Sequence, residues 1–246
     1  MATSAAPSLL AFFAHPDDES YAAGGTLALC ARAGLRVRVL SATRGEAGGD
    51  GARREAELQA ACEILGVEPP RFVGWPDGGV AQLPASAAVA QLRDALERLA
   101  PDVVLTLGPD GAYGHADHLA CTQLLSQAVD TLTPTPRVLH AVFPRGLLAP
   151  VWRSLRRHLG PKFVPLATPE ALGVAPQRPE LKVDIRPVAR QKRAAIAAHR
   201  SQLASLEPLH FLAPGLVEAL SEQEWFVHAA GPALPPDARG PCDGLP

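Results

Sequence analysis

Ser8-Leu-Leu-Ala-Phe-Phe-Ala14-His15-Pro16-Asp17-Asp18-Glu19-Ser20 joins an apolar run to one imidazole and three carboxylates within five residues. The run from Leu9 to Ala14 is too short for an ordinary helix and ends at a proline turn, so it reads as a buried strand of a largely parallel sheet. Ligands of open α/β sheets bind beyond the carboxyl ends of the strands, where these charged residues stand. Pro16 fixes its own φ and biases His15 towards extended geometry, which makes the exit from the strand a stiff turn.

Two readings compete for His15-Pro-Asp17-Asp18. In one, His15 and Asp18 supply a nitrogen and an oxygen to a mononuclear zinc ion, while Asp17 is left over as a base. In the other, Asp17, Asp18 and Ser20 cap the next helix, and Asp-Glu favours its first turn. Both stay open on this stretch alone.

The 246 residues suit one large α/β domain, and 47% hydrophobic residues can build a sizeable core. Twenty-three basic residues against 25 acidic ones give a formal charge of −2 without a block of like charge, so nucleic acid and membrane surfaces are not expected partners. Neither a signal peptide nor a transmembrane span is expected, because the N-terminus lacks a basic leader with a long apolar core and no apolar stretch approaches the ~18 residues a span needs. A cytoplasmic protein is the expectation. Cys30, Cys62, Cys121 and Cys242 contain no C-x-x-C pair and read as buried free thiols of a reducing compartment.

Beyond the opening turn, a helix is expected from Tyr21 to Ala33, stopped by Gly34, and a strand over Leu35–Leu40. Gly24 and Gly25 lie inside that helix rather than at its start. They therefore do not form a dinucleotide fingerprint and are expected to allow close packing. Thr43 to Gly51 is a glycine-rich loop at a strand's carboxyl end, readable as a ligand-facing backbone or as a mobile surface turn. A helix over Ala52–Leu65, a short strand Arg71–Trp75, a turn Pro76-Asp77-Gly78-Gly79, a helix Ser86–Ala100 and a buried strand Asp102–Leu107 follow. Asp77 there is a turn residue or a ligand contact, and Asp before Gly favours the turn. The repeated strand-helix order predicts a Rossmann-like, mostly parallel, doubly wound sheet.

The strand ending at Leu107 leads into Tyr113-Gly-His115-Ala-Asp117-His118 and a helix to about Asp130. His115 and His118 stand three apart and share a helix face. With a second His/Asp cluster at another strand end, metal binding becomes the better reading.

Ala14-His-Pro-Asp-Asp-Glu19 followed by Tyr113-Gly-His-Ala-Asp-His118 resembles the LmbE/PIG-L-like family of zinc-dependent N-deacetylases. Thr43-Arg-Gly-Glu46, Arg54-x-x-Glu57-Leu58, Leu65-Gly-Val67, Pro76-Asp-Gly78 and Lys192…His199-Arg-Ser-Gln202 follow in the family's order, so the likeness runs from residue 8 to about 226. Ala116 stands where the family often has proline, which leaves the ligand spacing intact. The resemblance implies that His15, Asp18 and His118 bind zinc, Asp17 is the general base, and His115 is an acid or oxyanion stabiliser oriented by Asp117. It further implies that Arg54 and Asp77 hold sugar hydroxyls and that Tyr113 lies near the oxyanion. Two histidines and an aspartate leave zinc positive with an open position for water, as hydrolysis requires, although ferrous iron or cobalt suits the same set. The implied substrate is an N-acetylglucosamine-type amide, such as a glucosaminyl precursor of a small thiol or a chitooligosaccharide. Monomers and ring-like homo-oligomers are both compatible with the family.

A strand over Arg137–Phe143, a proline-rich loop region over 144–178 that helps cover the site, a short strand Lys182–Ile185 and a helix Val188–Leu206 complete the expected domain, residues 1–230. His199 has only the family match behind it, and His228 has no assigned role. The Gly/Pro-rich tail, 231–246, is expected to be poorly ordered. Rival readings are an amidase acting on another acylated amine or a thiol conjugate, and a non-catalytic metal- or sugar-binding module. A nucleotide-binding protein lacks its fingerprints here.

Overall fold

The computed structural model describes residues 6–160, 168, 171, 173, 174, 179–205 and 216–245. In chain order the elements are β1 (Ser8–Phe13), α1 (Asp18–Arg32), β2 (Arg36–Ser41), α2 (Gly51–Leu65), β3 (Arg71–Phe72), α3 (Ala85–Leu99), β4 (Val103–Leu107) and the kinked turn α4 (Gly111–Gly114). Then come α5 (Ala116–Val129), β5 (Arg137–Val142), α6 (Ala149–Leu159), β6 (Leu181–Asp184), α7 (Ala189–Ala198), α8 (Arg200–Ser205), α9 (Leu216–Glu222) and β7 (Gln223–Ala230).

The strands form one seven-stranded sheet in the order β3-β2-β1-β4-β5-β7-β6. β1 to β5 pair in parallel, and β7 runs antiparallel between β5 and β6. This is the expected mostly parallel α/β sheet with one antiparallel insertion. Alternate residues of β1, together with Ala14 just after it, feed two separate apolar layers. Leu9, Ala11 and Phe13 pack with α1, α2 and α7, whereas Leu10, Phe12 and Ala14 pack with α3 and α5. Cover on both faces is why the strand is apolar throughout, and burying Phe12 and Phe13 contributes about 1.5–3 kcal/mol each. From β1 the chain winds outward through β2 to β3, then returns to β4 on the opposite side. The C-terminal ends of β1 and β4 therefore flank the crevice where the winding reverses.

Gly25 shows close packing of the expected kind. A Cβ there would lie 2.6 Å from the Cβ of Ile185, at the end of β6, whereas one on Gly24 would meet nothing nearer than 3.5 Å. Ile185 Cβ is fixed to the backbone, so overpacking, about 1–3 kcal/mol, should exceed the helix-propensity gain of ~1 kcal/mol. Gly25→Ala is expected to lower the thermal midpoint by several degrees, and Gly24→Ala to leave it unchanged or raise it. Thermal unfolding followed by circular dichroism checks the pair, and an unshifted midpoint for Gly25→Ala would contradict the packing argument.

Four expectations change. The 144–178 region, expected to be loop, contains α6 in its described part. The expected helix over Val188–Leu206 is broken at His199, whose φ of −77° and ψ of 54° end α7, and Leu206 lies outside the described residues. β7 had no counterpart in the sequence reading. The tail is anchored, because the buried guanidinium of Arg137 donates to the carbonyls of Pro232, Ala233, Pro241 and Asp243 at 2.8–2.9 Å. A fully buried guanidinium must satisfy its N–H groups, and tail carbonyls do so here. Leu234, Ala238, Cys242 and Leu245 also pack onto the core. All four cysteines are free, with Cys30, Cys62 and Cys121 buried. Among the described residues no helix is long and apolar enough to cross a membrane.

Candidate metal centre

β1 ends at Phe13, His15 follows it by two residues, and the turn through Pro16 starts α1 at Asp18. Asp17 holds the N-cap position, yet its side chain accepts no capping bond. Asp18 instead turns back, and its Oδ2 accepts the His15 amide at 2.9 Å. The carboxylates are thus not used for capping. Asp17 has φ 127° and ψ −31°, a left-handed conformation that costs a non-glycine residue roughly 1–3 kcal/mol. This reversal lets two successive carboxylates line one cavity with Tyr113 and His118.

His118 reaches the same point from the first turn of α5. Its Nδ1 lies 3.1 Å from the Gly111 carbonyl, which can only accept, so Nδ1 carries hydrogen and Nε2 is bare. That Nε2 stands 3.1 Å from His15 Nδ1 and 3.3 Å from Asp18 Oδ1. His15 Nε2 meets Asp77 Oδ1 at 2.9 Å and Asp117 Oδ2 at 3.4 Å, which leaves its Nδ1 bare as well. Asp18 Oδ2 is 3.6 Å from that Nδ1. Two lone-pair nitrogens and an ionised carboxylate at these distances repel one another unless a cation, or a proton on His15 Nδ1, lies between them. The donors fit a divalent ion with two histidines and one aspartate, and the outer carboxylates on His15 fix its tautomer as such sites require.

The electrostatics agree with that need for positive charge. Burial opposes charge on His15, but Asp117, Asp18 and Asp77 outweigh it and lift its pKa well above the usual imidazole value. Burial likewise opposes ionisation of Asp18, yet His118 and His15 hold it well below the usual carboxylate range. Asp17 differs from its neighbour. Burial raises its pKa to about 7, with Arg54 pulling the other way.

His115 lies alongside, its ring centroid 4.8 Å from those of both His15 and His118. The three histidines offer nitrogens within 4.8 Å of one another, so His115 also stands within reach of a metal position. Its Nδ1 accepts the Asp117 backbone N–H at 3.2 Å and caps α5, which leaves a hydrogen on Nε2 of the neutral ring. Burial and the neighbouring His118 and His15 pull its pKa down to about 3, so the ring is neutral near pH 7. Asp117 meets His115 through this main-chain contact, while its carboxylate accepts from the Gly78 and Val80 amides and faces His15. Tyr113 stacks edge-on against His118 at 5.3 Å between ring centroids, and burial, with Asp18 next, keeps its hydroxyl protonated.

Arg54 and Asp77 support the centre from within. Arg54 is 4% exposed and donates to Pro16 O at 2.7 Å, Gly45 O at 3.0 Å and Asp17 Oδ2 at 3.3 Å. Gly45, at φ 72°, lies flat on the guanidinium, and a Cβ there would meet Arg54 Cζ at 2.4 Å. The glycine-rich loop thus packs with its backbone against Arg54. Asp77 is in its expected turn and also accepts from the Ala47 amide at 2.9 Å. Ala22, Leu107, Phe143, Leu148 and Leu220 form an apolar wall of the cavity that Asp17, Asp18, Tyr113 and His118 also line. Two side chains that the motif reading left without a role in the site, Glu19 and His199, are buried behind Asp17.

Residues 10–129 match the family model described as PIG-L, GlcNAc-PI de-N-acetylase. A 1D-myo-inositol 2-acetamido-2-deoxy-alpha-D-glucopyranoside deacetylase of Saccharomonospora viridis is 32% identical over 91% of this chain and 96% of its own length. A conserved Thermus thermophilus protein of known structure is 31% identical, with a TM-score of 0.64 over 95% of this chain and all of its own. The N,N'-diacetylchitobiose deacetylase of Pyrococcus horikoshii shares the fold at 23% identity, with a TM-score of 0.60 over 91% of this chain and 84% of its own. Likeness of this extent, over nearly the whole of both chains, makes the protein a member of the PIG-L/LmbE family of de-N-acetylases.

Proposed function

We propose that the protein is a zinc-dependent N-deacetylase that removes the acetyl group from an N-acetylglucosamine-type amide. The observation that carries this reading is the meeting of two bare imidazole nitrogens and the Asp18 carboxylate beside Asp17, which is free of capping duty. His15, Asp18 and His118 would hold the metal. When bound, the ion supplies Lewis acidity and a water of lowered pKa.

The protein's own groups do the rest. Asp17 takes the proton of the attacking water and returns it to the leaving amine. In the metal-free protein burial lifts this carboxyl to about 7, and a bound cation would favour its ionised, proton-accepting form. The His115 Nε2–H and the Tyr113 hydroxyl donate hydrogen bonds where negative charge develops on the former carbonyl oxygen. Asp117 fixes the His115 ring through its amide and the His15 ring through its carboxylate. The family resemblance assigns Arg54 and Asp77 to the sugar hydroxyls. Because they also hold Asp17 and His15, their loss should alter kcat as well as KM. The acyl group faces the apolar wall.

The test is amine release from N-acetylated amino sugars, including the inositol glycoside, by metal-stripped protein before and after zinc is added, with cobalt and ferrous iron in parallel. Zinc-restored release is expected. No release at full metal occupancy would overturn the deacetylase reading and favour a binding module. The apolar wall favours a second reading, an amidase taking a longer acyl chain, and faster release from butanoyl than from acetyl substrates would select it. Four cysteines without a disulfide support a cytoplasmic setting. Sedimentation analysis would test for a homo-oligomer.

A further inference from the structure

Behind the metal centre, Glu19 and His199 are each 1% exposed and stand 180 positions apart in sequence. Glu19 Oε2 accepts the backbone N–H of Asp17 at 3.0 Å. Its other oxygen, Oε1, receives His199 Nε2 at 2.9 Å and the Ser20 hydroxyl at 2.5 Å. Both oxygens are therefore committed, one to the left-handed residue and one to a histidine brought in from another part of the chain. His199 gets there because α7 ends on it, and the helix after it restarts with Ser201 bound to Glu57 through its amide at 2.8 Å and its hydroxyl at 2.6 Å.

The acid-to-N-cap-amide half of a capping box accounts for the Glu19 contact but not for His199 behind it. The amide of Asp17 precedes α1, and the carboxylate that accepts it comes from two residues ahead, closing a tight ring around a backbone conformation that no L residue favours. The remaining polar groups of the Pro16-Asp17 peptides are held too. Asp17 O accepts from the Ser20 and Tyr21 amides at 3.0 and 3.2 Å, and Pro16 O accepts from Arg54. Only the Asp17 N–H depends on Glu19.

We propose that Glu19 and His199 are positioning residues for the hydrolysis: His199 orients the Glu19 carboxylate, which clamps the Asp17 amide and so keeps the Asp17 carboxylate aimed into the metal centre. The inference rests on Asp17 acting as the base. Displacement of such a group by about 1 Å can cost roughly a hundredfold in rate while substrate affinity is kept.

The experiment uses full-length Glu19→Gln, Glu19→Met, His199→Gln and His199→Leu with 1D-myo-inositol 2-acetamido-2-deoxy-alpha-D-glucopyranoside. It measures kcat, KM, bound zinc and, in metal-free protein by NMR, hydrogen exchange of the Asp17 amide. Glu19→Met and His199→Leu should lower kcat roughly a hundredfold with KM unchanged and zinc stoichiometric. Exchange at Asp17 should quicken in both, and His199→Gln should recover most of the loss because its amide can still donate to Glu19. If the apolar variants do not fold, Glu19→Gln decides, since a neutral acceptor holds the amide more weakly. Faster exchange with a kcat about tenfold lower supports the clamp. Wild-type kcat in a folded variant with faster exchange overturns it, as does a kcat loss with Asp17 protected as in the wild type. If the wild-type protein itself releases no amine, the functional reading fails. Unchanged exchange in the variants would be the separate failure of the clamp.

Discussion

Asp17→Asn should bind zinc at one ion per chain and lose turnover by roughly 10²–10⁴-fold, the usual contribution of general acid–base catalysis. The substitution keeps the side chain's size and an oxygen able to accept from Arg54, which stands 3.3 Å from the present carboxylate. It removes only the ability to take and release a proton. The bare donors of His15, Asp18 and His118 do not involve Asp17, so metal affinity should survive. Metal content by plasma emission and kcat from amine release check the two halves separately. Loss of zinc with Asp17→Asn would mean that base and ligand are exchanged between the two aspartates.

His118→Ala should have the opposite signature, with metal lost first and activity lost in consequence. On the proposed ligand set it removes one of three ligand side chains, so affinity should fall by more than the roughly 10–100-fold that loss of an outer-shell partner costs. Titration of the metal-stripped variant with zinc against a competing chelator measures this. The His118 side chain is 1% exposed and its Nδ1 is bonded to Gly111 O, so thermal unfolding of the metal-free variant must be measured alongside. Full-strength zinc binding by a folded His118→Ala protein would place the metal elsewhere.

The sheet was legible where a strand is buried on both faces. Leu9–Ala14 and Asp102–Leu107 could be recognised because a strand covered on both sides is apolar without alternation. β7 was not recognised. Gln223-Glu-Trp-Phe-Val-His-Ala-Ala230 carries a Trp-Phe-Val signal, but it directly follows α9 with no turn to mark a boundary. Its Glu224 looks like a surface residue in sequence, yet it is buried against Lys192 at 2.6 Å and against the Gly25 and Thr26 amides at 2.8 and 2.7 Å. Burial of that carboxylate depends on partners far along the chain, which local pattern cannot reveal.

The site divides in the same way. Residue type and spacing on their own determined that two strand ends carry His-x-x-Asp and His-x-x-His, since ligand chemistry depends on which atoms a side chain offers. They also determined the alternating strand-helix order that brings those ends to one edge of the sheet. Tertiary structure alone decided which tautomers leave lone pairs inward, that Asp77 and Asp117 back His15, that Arg54 holds Asp17, and that Glu19 and His199 close behind it. These are contacts between groups 37 to 180 residues apart, or they depend on a left-handed backbone at an aspartate. Neither leaves a local periodicity, because each is set by how helices and loops pack on the finished sheet.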